Sequence, residues 1–381
     1  MRLTVSAVTM IAAGALAAGC AEDTDEGAET AVGAESALGI GGPSPLELLE
    51  GGRLFFTETF SGNGRTCGTC HTPLTGTINP QQVEALYRLD PRNPLFRGDG
   101  ADEPGGNTFD RVRRHATFRV VLPLPPNVSI VGSTAREVAV HRGVPTTMNT
   151  PALDPVLMYD GRAPNLVEQA RGAIRDHAGS TRVTNRQLEL IAGFQKTLFN
   201  DVRLVRYAAG GPPPTLPPGR TAAEKRGRIW FTDDNPVNGN PASGRCVHCH
   251  SGPMLNETSP GLEALLGVPA GSRFITAFVS ELNPGNFSQQ TFRFTNPDGT
   301  TTDIVSHDPG LALITGDPAT AHLFKIPTLW GATKTAPYMH DNSIKDLRAL
   351  LDHYDEYFNL ATATDLTEQD KQDIIAYMKL L

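Results

Sequence analysis

Two short runs of the chain carry the chemistry of a covalently held metal cofactor. Cys67-Gly68-Thr69-Cys70-His71 and Cys246-Val247-His248-Cys249-His250 each set two thiols one helical turn apart, followed at once by an imidazole. That spacing is the attachment sequence of a c-type haem: the thiols add to two vinyl groups and the next residue offers its ring to the iron. The reading is therefore two covalently bound haem c groups. It assigns Cys67, Cys70, Cys246 and Cys249 to the porphyrins and His71 and His250 to the irons. The competing reading is one four-Cys zinc site built from both pairs. It leaves the His after each pair without a role, and zinc pairs rarely sit about 180 residues apart. A redox dithiol needs only one pair. Of the five cysteines only Cys20 is left over, so none remains for a disulfide.

The elements that must position these groups are duplicated too. Gly52-Arg53-Leu54-Phe55-Phe56 recurs as Gly227-Arg228-Ile229-Trp230-Phe231. Thr184-x-x-Gln187 opens an amphipathic run of Leu188, Ile191, Phe194 and Leu198, and Thr367-x-x-Asp370 opens another of Ile374, Tyr377, Met378 and Leu381. Both openings have the form of a helix N-terminal capping box. The offsets of the three paired features are 175, 179 and 183, so order and spacing are both kept. Each copy reads as helix, haem motif, long loop region, closing helix. The joint is the Pro-rich run from Gly210 to Pro218, a stiff exposed linker.

Composition agrees with a loop-rich soluble body. The 38 glycines and 30 prolines are about 18% of the chain against a usual ~12%, which argues against a helical bundle. The net charge of −8 speaks against a nucleic-acid partner. At the N-terminus, Arg2 precedes an apolar, Ala-rich stretch ending in Leu16-Ala17-Ala18-Gly19-Cys20, which resembles a bacterial lipobox. The resemblance implies a signal peptide over 1–19, lipidation of Cys20, and an exported, periplasmic lipoprotein held to a membrane, the outer one before the inner, by that lipid alone. Residues 20–44 carry six acids and no Lys or Arg and read as a disordered tether. Without Arg2 the chain stands at −9, and without those acids residues 45–381 stand at −3. Most of the acidity is thus in the tether.

Further motifs, in order, resemble the bacterial dihaem cytochrome c peroxidase and MauG superfamily from about residue 45 to the end. Phe55-Phe56 followed by Ser61-Gly62-Asn63-Gly64 resembles that family's approach to its first haem. Tyr159-Asp160-Gly161-Arg162, then Leu166 to Gln169, resembles its Trp-Asp-Gly-Arg…Leu-Glu-Glu-Gln segment. Lys325 to Leu329 and Thr335 to Asp341 resemble its C-terminal signature. The resemblance implies a mainly α fold of two cytochrome c-like haem domains with long irregular loops and little sheet. An N-terminal domain over 45–211 would hold an open, peroxidatic haem, and a C-terminal domain over 212–381 an electron-transfer haem. It implies reduction of hydrogen peroxide with electrons from a small exported cytochrome c or cupredoxin. A MauG-like enzyme that oxidises residues of a partner protein is the first alternative, and a non-enzymatic dihaem electron carrier the second.

The resemblance also distributes roles. Family members take the second iron's distal ligand from a helix after the Pro-Tyr-x-His-Asp motif, and the matching residue, fourteen past His340, is Tyr354. Met339, His340 and His353 are rival ligands, and helical spacing with Leu347, Leu350, Leu351 and Phe358 also suits Tyr354 to a plain core position. Aligning Asp160 with Asp341 drops Tyr354 onto Ala173, so the first iron is expected to lack a strong distal ligand and stay open. The family's catalytic Gln falls on Gln169, whereas its Glu falls on Gly179 and its pocket Pro on Ala173. Asp176 and His177 lie close enough to supply the acid–base group instead, and His177 is the candidate. Tyr159 stands where the family has an inter-haem Trp and would relay oxidising equivalents. A calcium ion is implied at the backbone carbonyls of Thr335 and Pro337, although the family's Asn ligand falls on Gly143.

Overall fold

A computed structural model describes residues 42–232, 245–282, 288–362 and 364–381. The signal segment 1–19, Cys20 and the tether up to residue 41 lie outside the described residues, as does Phe287. The protein is mainly helical, and the capping boxes read from sequence are formed. Helix Pro45–Thr57 starts at Ser44, whose side chain accepts from the Glu47 amide while Glu47 accepts from the Ser44 amide. Helices Asn185–Gln195 and Glu368–Met378 start at Thr184 and Thr367 in the same reciprocal way. Each such cap contributes about 1 kcal/mol and fixes where its helix begins.

The opening helix of each half crosses the closing helix of the same half, Pro45–Thr57 on Asn185–Gln195 and Ala222–Thr232 on Glu368–Met378. Glycine makes both crossings possible. A methyl group at Gly51 would run into the carbonyl oxygen of Leu190, and one at Gly227 into that of Asp373. The buried sets are Gly51, Leu54 and Phe55 in one helix and Gly227, Trp230 and Phe231 in the other. This corrects the sequence alignment by one residue: Gly51, not Gly52, is the structural partner of Gly227. Gly227→Ala is a sharp test of the crossing. In a helix interior this exchange ordinarily stabilises by about 1 kcal/mol; here overpacking should reverse the sign and cost ~1–3 kcal/mol, read from denaturant melts of the haem-loaded protein.

Three small antiparallel sheets join the long loops. Strand β1 (Thr117–Pro123) pairs with β3 (Glu137–Gly143). Strand β2 (Val128–Ile130) is an edge of a three-stranded sheet whose centre is β5 (Gln290–Thr295), followed by β6 (Thr301–Ser306). Strand β4 (Phe274–Ile275) pairs with β7 (Phe324–Lys325). The aromatic residues of the 267–320 stretch thereby find their role. Phe292 and Phe294 alternate into a core with Leu122, Val128, Val138 and Val140 and are fully buried. They pack residues from both sides of the Pro-rich joint together. No helix among the described residues is long and apolar enough to cross a membrane.

Candidate haem-binding cavity

The two Cys-x-x-Cys-His runs fold alike because each closes a tight turn on its own first residue. The His71 amide donates to the Cys67 carbonyl at 2.9 Å, and the His250 amide to the Cys246 carbonyl at 2.9 Å. Gly68 is needed in the first turn, since a side chain there would collide with the Phe56 ring. Each histidine then donates from Nδ1 to the carbonyl five residues on: His71 to Gly76 at 2.7 Å, His250 to Leu255 at 2.9 Å. A carbonyl can only accept, so Nδ1 carries the hydrogen and Nε2 keeps its lone pair. This is the tautomer and orientation that a histidine ligand to a metal needs. Enclosure by the protein drives both imidazoles down to about 4, opposed only in part by these carbonyl bonds, so both are neutral near pH 7. The same enclosure pushes the thiols of Cys67, Cys70 and Cys249 up to about 12.

Among the described residues these four cysteines form no disulfide. They do not gather around one point. Among the described residues, only His307, His340 and Asp341 bring three potential ligand atoms within 4.8 Å of one another. The four-Cys zinc alternative therefore fails.

Both motifs open into one continuous, mostly apolar cavity of about 410 Å³. Cys67, Cys70 and His71 line it, and so do Cys246, Cys249 and His250. Its wall also holds Arg142, Lys325 and His340, and the His340 Nε2 is buried with no hydrogen-bond partner. Paired thiols for vinyl groups and, beside each pair, an imidazole lone pair for iron line the same space. The residues present fit two c-type haems.

At the second motif, Tyr354 projects from helix Leu347–Thr362 into the cavity. Burial drives its phenol up, and the neighbouring Cys249, Tyr357 and Cys246 add to this. Those neighbours place it at the second haem motif. His353 does not reach the cavity, because its Nε2 donates to the Ala277 carbonyl at 2.7 Å. Met339 and His340 do line the cavity, and so does Tyr357, one turn beyond Tyr354, which the sequence reading did not single out.

At the first motif the wall is helix Leu166–Asp176 and its C-cap His177. Gln169, Ala173 and His177 lie four residues apart on one face and all line the cavity. Ala173 presents a methyl group where the other half presents Tyr354. Gly179 is exposed, with φ of +67°, and offers no carboxylate. The acid at this wall is Asp99, from the turn Gly98–Gly100, whose carboxylate meets His177 Nδ1 and the Arg65 guanidinium. No motif marked Asp99 or Arg65. Burial pushes Asp99 up, but the bond and charge of His177, then the charge of Arg65, overcome this and hold its carboxyl below the usual range.

Tyr159 also lines the cavity, and its carbonyl accepts from the Lys325 amide at 2.8 Å. Burial raises its phenol, with Arg142 acting in the opposite sense. The following Asp160 is fully buried and bonds both Arg162, at 2.8 Å, and Arg142, at 2.5 Å. Arg142 also forks onto Asp308 at 2.7 and 2.9 Å. Burial opposes the ionisation of Asp308, yet the Arg142 charge holds its carboxyl down at about 2. Thr335 and Pro337 line the cavity, and Asn342 packs its amide against Gly143. An Asn side chain thus reaches the Gly143 position from a different segment, donating to the His115 carbonyl at 2.8 Å.

No family model matches the chain. Over 204 residues, half of this chain, it is 28% identical to the cytochrome-c peroxidase IdrP1 of Pseudomonas sp. (strain SCT), and the matched part spans 48% of that protein. Over 343 residues, 88% of this chain and 81% of the relative, it is 24% identical to the cytochrome-c peroxidase IdrP2 of Denitromonas iodatirespirans. Over 285 residues, 65% of this chain and 70% of the relative, it is 24% identical to the methylamine utilization protein MauG of Methylophilus methylotrophus. A solved MauG-like protein associated with microbial copper homeostasis shares the fold, with a TM-score of 0.52 at 20% identity, over 90% of this chain and 91% of that one.

Proposed function

As a member of the dihaem cytochrome c peroxidase and MauG superfamily, the chain is, we propose, an exported dihaem oxidoreductase that reduces hydrogen peroxide with electrons from a small redox protein. The observation that carries this is the asymmetry of one cavity. Its second end has Tyr354 at the wall, whereas its first end has Ala173 flanked by Gln169 and His177. When bound, the haems supply an open coordination position at the first motif and the electrons that reduce the O–O bond. His71 and His250 would hold the irons, and thioethers at Cys67, Cys70, Cys246 and Cys249 would hold the porphyrins. Ala173 leaves room for a small molecule, Gln169 orients it by hydrogen bonding, and His177 accepts and returns its proton. Tyr159, which lines the same cavity, would relay oxidising equivalents between the two haems. The reading extends to 45–211 and 212–381 as two haem domains, a calcium ion at Thr335 and Pro337, and a lipid at Cys20 that tethers the exported protein to its membrane.

Tyr354 also favours a second reading, MauG-like oxidation of residues on a partner protein. A phenolate is a hard anionic ligand that stabilises oxidised iron. A pure electron carrier would instead need both irons six-coordinate, and Ala173 argues against that. Electron paramagnetic resonance of the oxidised protein, run beside an assay of peroxide consumption, tests the enzyme reading. One high-spin and one low-spin ferric signal, with peroxide consumed as a reduced donor cytochrome is oxidised, is expected. Two low-spin signals without peroxide consumption would establish the carrier.

A further inference from the structure

Resting on that reading of the first site, we propose that Asp99, braced by Arg65, is the positioning residue that sets His177 as its proton-carrying group. Three segments remote in sequence build the arrangement. The Asp99 carboxylate divides its two oxygens, Oδ1 to the Arg65 guanidinium and Oδ2 to His177 Nδ1. Arg65 is 2% exposed and donates further to the carbonyls of Pro94 at 3.0 Å, Leu95 at 2.8 Å and His177 at 3.2 Å. Its guanidinium also lies 5.6 Å from the Phe118 ring centroid. Asn63 Nδ2 donates to the His177 carbonyl at 2.9 Å and fixes the backbone of the ring it must orient. His177 is thus held by its main chain and by one ring edge.

Geometry then assigns the other edge. A carboxylate ionised beside Arg65 can only accept, so His177 Nδ1 carries the hydrogen and Nε2 presents its lone pair. His177, Asp99 and Arg65 all line the cavity. The His177 side chain is 34% exposed against 9% for Asp99, so the ring links the cavity to outside water while its partner stays dry. The charged groups around it are few. Arg65 and Asp99 balance each other, and Arg175 and Asp176 on its own helix pair together at 2.6 Å. His71 is the titratable ring across the cavity.

In this arrangement His177 Nε2 would take one proton from peroxide and return it to the outer oxygen, which would depart as water as the O–O bond breaks. Bound haem would supply the two electrons and the electron donor would replace them. The inner oxygen would leave as the second water with two protons from solvent, so the relay itself takes no net proton. Asp99 stabilises the imidazolium and fixes its tautomer without itself becoming protonated, the role a carboxylate plays beside a catalytic histidine elsewhere. Asp99 and Arg65 act in this account only through His177.

The test combines His177→Gln, Asp99→Asn, the double variant and Asp99→Glu in the haem-loaded protein. His177→Gln should slow the second-order reaction with peroxide ~100-fold or more, the usual worth of a positioned acid–base group. Asp99→Asn should slow it ~10-fold or more and displace the acid limb of the pH profile, and the double variant should be no slower than His177→Gln. Azide supplies a readout apart from turnover. Optical titrations between pH 5 and 9 should show wild type taking up about one proton per azide, His177→Gln taking up none, and Asp99→Asn a displaced profile. Asp99→Glu keeps the counter-charge to Arg65 and hence the fold, and should still displace both profiles. Unchanged profiles in Asp99→Glu, or equal slowing by Asp99→Asn with and without His177, would overturn the proposal and leave peroxide chemistry at the first site intact. A wild-type protein that binds no azide would instead overturn the open-site reading, and the proposal with it.

Discussion

Replacing both Cys67 and Cys70 with alanine is expected to leave a protein that carries one covalent haem instead of two. The mass of the denatured chain should fall by one haem beyond the loss of two sulfurs, and haem staining on a denaturing gel should fall by about half. The matching change at Cys246 and Cys249 should do the same, and all four together should abolish staining. The expectation follows from the two thiol pairs that line one cavity and from the histidine beside each pair, whose Nδ1 is held by a carbonyl five residues on. It does not depend on which end reacts with peroxide. Stain retained by the quadruple variant would show that the thiols serve something other than haem.

Tyr354→Phe is expected to change the second site and leave the first alone. The ring and its packing against Phe358, 5.8 Å between centroids, are retained, and only the phenolic oxygen is lost. If that oxygen is the sixth ligand, the low-spin ferric signal should give way to a high-spin or water-ligated one. The midpoint potential of that haem should also rise, since an anionic oxygen ligand favours the oxidised metal. Azide should bind the first site as before, because Ala173, Gln169 and His177 are on a different helix. A spectrum unchanged by the substitution would show that Tyr354 does not hold the second iron, and would leave Met339, His340, Tyr357 or no side chain as its sixth ligand. His353 is already committed to the Ala277 carbonyl.

What could be read from the sequence was local. The haem motifs, the capping boxes and the amphipathic closing helices each lie within about a dozen residues, where chain geometry alone sets the relationship. Even there a one-residue error entered. Aromatic identity matched Phe55-Phe56 to Trp230-Phe231, whereas burial matches Leu54-Phe55, because the crossing is set by the glycine one turn earlier. His177 was named from its place near Gln169, but its partner Asp99 lies 78 residues away on an unmarked turn. Arg142 and Asp308 are 166 residues apart and meet only because β3 and the chain after β6 converge. Phe292 and Phe294 are buried because β5 pairs with β2, which lies more than 160 residues earlier in the chain. Contacts of that kind are set by topology, for which a single sequence has no periodic signal.

The pairing across the Pro-rich joint has a consequence for how such a protein can change over generations. A duplicated haem unit would at first have been two interchangeable beads. Here β2 from one copy completes the sheet of the other, and the Arg142 charge of one is neutralised in part by Asp308 of the other. Recombination that replaced one half with a relative's would have to bring the matching strand and the matching carboxylate. Otherwise it leaves a sheet edge bare and takes from the buried Arg142 one of its two carboxylate partners, leaving Asp160 alone. An exchange of one half should therefore be tolerated at Ala173 and Tyr354, which are not part of these contacts, and should fail where the partners of β2 and Arg142 are not carried with it.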